Sequence, residues 1–132
     1  MKILITGATG FIGGAIAYEL GVRGLLGSAI FLVRAPNSAE GLQRLIGNLE
    51  KFQKEPLTMQ VRLDQIVCAD LANIQATAHS VWAGVTHVIH CAALATFSNN
   101  PKIWAMNVDN TLALAKAVSE HGSLERWLQV GT

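Results

Sequence analysis

The chain has 132 residues, 51% hydrophobic and 14% charged, with ten Lys and Arg against nine Asp and Glu. A net charge of +1 leaves no electrostatic footprint for nucleic acid or an anionic membrane surface, and no apolar run reaches the ~18 residues of a membrane span. The length suits one domain with a sizeable core, and a single Lys followed at once by an apolar run is neither a secretory nor a transit leader, so the expected location is cytosolic.

The first element is the run Ile3-Leu4-Ile5, branched or bulky throughout, as a strand buried on both faces requires. It breaks into Thr6-Gly7-Ala8-Thr9-Gly10-Phe11-Ile12-Gly13. The spacing predicts a strand, a tight turn and a helix over 11–23 whose core face is Ile12, Ile16 and Leu20, with Gly24 as its left-handed stop. Each glycine has its own reason: Gly7 for an unusual φ, Gly10 for close approach of a diphosphate, Gly13 for close packing of helix on strand. The N–H groups of Thr9 to Ile12 then face an anion at a helix N-terminus. The other common phosphate loop, GxxxxGK[ST], is absent.

A second strand over 29–33 completes a βαβ unit, and Arg34 stands where dinucleotide folds choose between cofactors. A carboxylate there suits the adenosine ribose of NAD(H), whereas a forked guanidinium suits the 2′-phosphate of NADP(H). NADP(H) is therefore the expected cofactor and NAD(H) the alternative; a merely solvated Arg is the plain reading. Pro36-Asn37-Ser38 interrupts the chain, and Ser38 is expected to cap a helix over 39–53 with Leu42, Leu45, Ile46, Leu49 and Phe52 inward and Arg44 off that face. A polar loop over 51–59 comes next.

The third strand is expected over 65–68, with Asp70 as a helix N-cap beyond it. Ile74, Ala78, Val81 and Trp82 mark a short helix stopped by Gly84, and 86–91 form a fourth strand. His87 and His90 read as satisfied core residues, and Cys68 and Cys91, each ending an apolar strand without metal spacing, as small buried hydrophobes. The longest helix begins with Asn100 as cap and Pro101 at the first position, buries Ile103, Val108, Leu112, Ala115 and Val118, and stops at Gly122. Asn107 is a mildly unfavourable choice inside it. A fifth strand over 126–130 leads to Gly131-Thr132. Together these elements predict a three-layer α/β Rossmann-type sandwich, with a parallel sheet in the order 3-2-1-4-5.

The run from Thr6 to Gly13 resembles the TGxxGxxG signature of extended short-chain dehydrogenases/reductases. Leu32-Val33-Arg34-Ala35, followed by Arg44-Leu45, is similar to thioester reductases and fatty acyl-CoA reductases. The resemblance implies roles for further residues. Arg44 would help Arg34 hold the 2′-phosphate, Asp70 and Leu71 would meet the adenine, and Cys91, Ala92 and Ala93 would pass under the cofactor ribose. Asn107 would support an active-site lysine through water, and Thr132 would supply the catalytic hydroxyl, with Gly131 departing from the usual Ser. The family's Tyr-x-x-x-Lys pair is absent: Tyr18 is the one tyrosine and Val22 lies four residues on. The chain thus reads as an N-terminal piece of a reductase that passes hydride from NADPH to an acyl thioester on coenzyme A or a carrier protein. A sugar-nucleotide epimerase or dehydratase is a second enzyme reading, disfavoured by Arg34, and a non-catalytic NADP(H) sensor or scaffold is a third.

Overall fold

The computed structural model describes residues 1–52, 61–96 and 98–131. Five parallel strands, β1 (Ile3–Thr6), β2 (Ala29–Val33), β3 (Ile66–Cys68), β4 (His87–His90) and β5 (Arg126–Gln129), form one sheet in the order β3-β2-β1-β4-β5. This is the expected Rossmann-type order. β1 is central, with Ile3 beside Ala29 on one flank and His87 on the other.

Helices α1 (Phe11–Val22) and α2 (Ser38–Leu49) cover one face of the sheet over a core of Ile3, Ile5, Ala17, Phe31, Val33 and Leu45. The opposite face carries Leu4, Ile74, Trp82, Val88, Leu114 and Val118. It is closed by two 3-10 turns, Leu71–Ala76 and His79–Trp82, and by α4 (Asn110–His121). The alternation of β1 between the two cores is the period-two geometry of a strand covered on both sides.

Four local expectations are corrected. The buried face of α1 is Gly13, Gly14, Ala17 and Gly21, while Ile12 is 49% exposed. Small residues let this helix lie close to β1, which puts the larger apolar residues on its flank. The cap of α2 is Asn37, whose side chain accepts the Glu40 N–H at 2.9 Å, and Ile46 is exposed while Gly41, Leu45, Asn48 and Leu49 are buried. The single helix expected around Ile74 to Trp82 is the pair of 3-10 turns, kinked at Asn73.

The fourth correction concerns the longest helix. Asn100 accepts the Lys102 N–H at 2.9 Å, as a cap should. After α3 (Lys102–Trp104), however, the helix widens into a π turn (Ala105–Asp109) before α4. The extra residue rotates the helix beyond it, so Thr111, Leu114 and Val118 face the core and Leu112 is 63% exposed. The loop expected over 51–59 lies outside the described residues from 53 onward, as does Thr132.

Candidate functional site

β1 ends at Thr6 and the chain reverses through Gly7, whose φ of +75° is open to glycine at little cost. A Cβ on Gly7 would lie 2.6 Å from the backbone nitrogen of Ala92, and one on Gly13 would collide with the Gly7 carbonyl. Both glycines are therefore demanded by the packing of the turn. Gly10 is different. Its φ of −97° is open to any residue, and a Cβ there would meet only the Gly7 carbonyl, at 3.3 Å.

Gly10 donates its N–H to the Gly7 carbonyl at 2.9 Å. The N–H groups of Thr9, Phe11 and Ile12 have no protein acceptor among the described residues. Orphan donors at a helix N-terminus suit an anion, and the missing Cβ of Gly10 leaves room for one.

The loop opens on a groove of about 610 Å³ across the C-terminal strand ends. Gly7, Thr9, Gly10, Arg34, Arg44, Asp70, Leu71, Cys91, Ala92 and Ala93 line it together. Phe11, Ile12, Gly13 and Asn107 lie outside the lining, as does Thr6. The groove adds Leu32, Ala69, Leu94, Asn100, Lys102, Met106 and Asn110, none of which the sequence singled out as site residues. A slightly larger cavity, about 680 Å³, runs along the outer edge of β3 and contains none of the glycine turn. Size alone does not locate the site.

At the end of β2, Arg44 donates from its guanidinium to the Arg34 carbonyl, which brings the α2 side chain beside the strand end. Among the described residues neither arginine forms an ion pair. Two exposed guanidiniums without an ion-paired carboxylate among the described residues could hold an anion in the same groove. Asp70 accepts the Ala72 N–H at 3.0 Å through Oδ1, capping the first 3-10 turn.

Thr6 is fully buried and supports the site from beneath. Its Oγ1 accepts the Ala92 N–H at 3.2 Å and lies 2.7 Å from His90 Nδ1, while His90 Nε2 is 2.9 Å from Thr111 Oγ1. Each ring nitrogen of His90 thus has a hydroxyl partner, Thr6 on one side and Thr111 on the other. Burial pushes the His90 imidazole below its ordinary range, which favours the neutral ring. Burial also pushes the Cys91 thiol up, away from the reactive thiolate. His90 is thus a satisfied core residue, as expected. Asn107, in the π turn, accepts the Leu94 N–H at 2.8 Å and donates to the Leu94 carbonyl at 3.2 Å, tying the segment after β4 to the helix.

Sequence reasoning missed Asn48. Buried on α2, it donates to the carbonyls of Ala8 at 2.8 Å and Gly10 at 2.9 Å. The available signal was an Asn at a core-facing position between Leu45 and Leu49.

The chain is 49% identical over 51 residues to aldehyde reductase lnbA of Aspergillus flavus, a match covering 39% of this chain and 5% of that protein. Its fold is similar to the terminal R domain of the myxalamid PKS-NRPS pathway, with a TM-score of 0.82 and 24% identity over 99% of this chain and 34% of that one. The PhqB reductase domain of Penicillium fellutanum is similar too, with a TM-score of 0.69 and 26% identity over 95% of this chain and 36% of that one. The chain therefore spans about a third of each of these two structures. The NAD-binding family described as male sterility protein matches residues 5–132, and with its glycine turn and strand-end groove in place, the chain belongs to that family.

Proposed function

We propose that this chain is the NADP(H)-binding portion of a reductase that passes hydride to an acyl thioester, carried on coenzyme A or a carrier protein. The observation that carries the reading is one groove with two candidate anion positions: orphan amides at the glycine turn, and adjacent Arg34 and Arg44, neither of them ion-paired among the described residues. The two positions suit the diphosphate and the 2′-phosphate of one dinucleotide. When bound, NADPH supplies the hydride. The chain's part is to hold and orient it: Thr9, Phe11 and Ile12 amides take the diphosphate, Asp70 accepts from the adenine amino group beside Leu71, and Cys91 to Ala93 support the ribose. Asn107 holds the loop at Leu94. Thr132 is proposed as the hydroxyl beside the reacting carbonyl. The thioester class is supported by the Arg34 and Arg44-Leu45 pattern and by the reductase-domain relatives.

The test is cofactor discrimination. A forked contact to the 2′-phosphate is worth about 1.5 to 3 kcal/mol, so NADPH should bind roughly ten- to a hundredfold more tightly than NADH. Arg34→Ala should erase most of that margin and leave NADH affinity nearly unchanged. Equal loss of both cofactors would make Arg34 structural, and a wild-type preference for NADH would favour the epimerase-like reading. A polypeptide of these 132 residues, with no Tyr-x-x-x-Lys, should bind NADPH without reducing any thioester. Turnover by it would show that the proton donor has been misassigned.

A further inference from the structure

We propose that Asn48 is the positioning residue of the glycine turn: from α2 it fixes two loop peptides so that the N–H groups of Thr9 and Phe11 point away from its carboxamide and stay free for an anion at the turn. A trans peptide points its carbonyl and its N–H in opposite directions. The carbonyl of Ala8 shares a peptide plane with the Thr9 N–H, and that of Gly10 with the Phe11 N–H. The Asn48 carboxamide donates to both carbonyls, at 2.8 Å and 2.9 Å, and so draws them toward α2. The two amides turn the other way, toward the space an anion would fill.

A second observation supports the same device. Gly14 is outside the three-glycine signature, yet a Cβ there would collide with Asn48 Nδ2 and lie 2.7 Å from the Phe52 ring. The second glycine of the Gly13-Gly14 doublet leaves a passage for the carboxamide to reach the loop. Asn48 is itself buried, where an amide donor without acceptors would be costly, so the two bonds define its place strongly. Without it, the Gly10 carbonyl would still accept the Gly14 N–H at 3.0 Å, but the described residues offer the Ala8 carbonyl no other donor. The Thr9 amide therefore depends on Asn48 most.

This inference rests on the dinucleotide reading only for the identity of the anion. The experiment titrates NADPH, pyrophosphate and 2′-AMP into the wild-type chain, Asn48→Leu and Gly14→Ala, following the backbone amides by nuclear magnetic resonance. Leu keeps the branched outline of Asn without its donor, and Gly14→Ala displaces the carboxamide without touching it chemically. Both variants should lose about tenfold in affinity for NADPH and for pyrophosphate and nothing for 2′-AMP, which reaches the arginines and not the turn. In the wild type, Thr9 and Phe11 should be the amides that pyrophosphate shifts. Unchanged NADPH and pyrophosphate affinity would overturn the proposal, as would an equal loss of all three ligands, the mark of a general packing role. If Asn48→Leu does not fold, Gly14→Ala decides alone. A wild-type chain that takes pyrophosphate at Thr9 and Phe11 but not NADPH would overturn the dinucleotide reading and leave this one standing.

Discussion

At the level of single residues, the three signature glycines separate by cause. Gly7 has a positive φ and Gly13 faces the Gly7 carbonyl, so each is required by the chain's own packing. Gly10 has ordinary dihedrals and one moderate neighbour, so a side chain there would project into the groove more than into the fold. Gly10→Val should accordingly keep most of its stability while losing NADPH binding by a hundredfold or more, roughly 2.7 kcal/mol at the least. Gly13→Ala should instead lower the melting temperature severely. Calorimetry with a binding titration separates the two, and a Gly10→Val chain that binds NADPH normally would remove the turn from the site. His90 gives a prediction in pH. Its folded pKa lies below the unfolded value of about 6.5, so between those limits the unfolded chain holds more protons and stability rises with pH. Full stability is present above pH ~6.5, is lost as pH falls below it, and levels off below the folded pKa. Melting temperature against pH should show this slope, and His90→Gln should flatten it.

At the level of elements, the π turn at Ala105–Asp109 is the feature with most leverage. One extra residue per turn rotates α4, and it presents Asn107 to both backbone groups of Leu94. Asn107→Ala leaves those groups without their tether, so the segment after β4 should exchange its amide protons faster and NADPH affinity should fall by about tenfold. Hydrogen exchange confined to residues near Leu94 would bear this out; unaltered exchange there would mean the loop holds itself. Leu112→Ala, on the exposed side of the rotated helix, should change stability by no more than about 0.5 kcal/mol, whereas Leu114→Ala, fully buried, should cost about 2–5 kcal/mol. The reverse order would restore the unbroken helix that the periodicity implied.

At the level of the whole molecule, the sheet is covered unevenly. On the face carrying α1 and α2, those helices pack over β1, β2 and β3, while Leu128 on β5 remains 54% exposed beside half-buried Ile89. An apolar strand surface of this kind favours self-association, so Leu128→Glu should reduce light scattering of the concentrated chain without lowering its melting temperature. Strand order, the turn between β1 and α1, and the placement of Arg34 at a strand end were all legible in the residues. They depend on local signals: branched apolar runs of strand length, glycines at fixed offsets and a right-handed crossover that leaves few topologies. The faces of the helices were not legible to the same degree. Ile12, Ile46 and Leu112 look inward by periodicity and are exposed, because close packing of a small-residue helix and one extra residue in a π turn are settled by neighbours distant in sequence. The support of the site was hidden for the same reason. Asn48 meets Ala8 from 40 positions away, and Thr6 meets His90 from 84, so no local pattern announces either contact. The sequence alone determined which residues stand at the strand ends; the tertiary structure alone decided which buried polar groups pack beneath them, since a hydrogen bond between distant segments exists only once the sheet has brought them together.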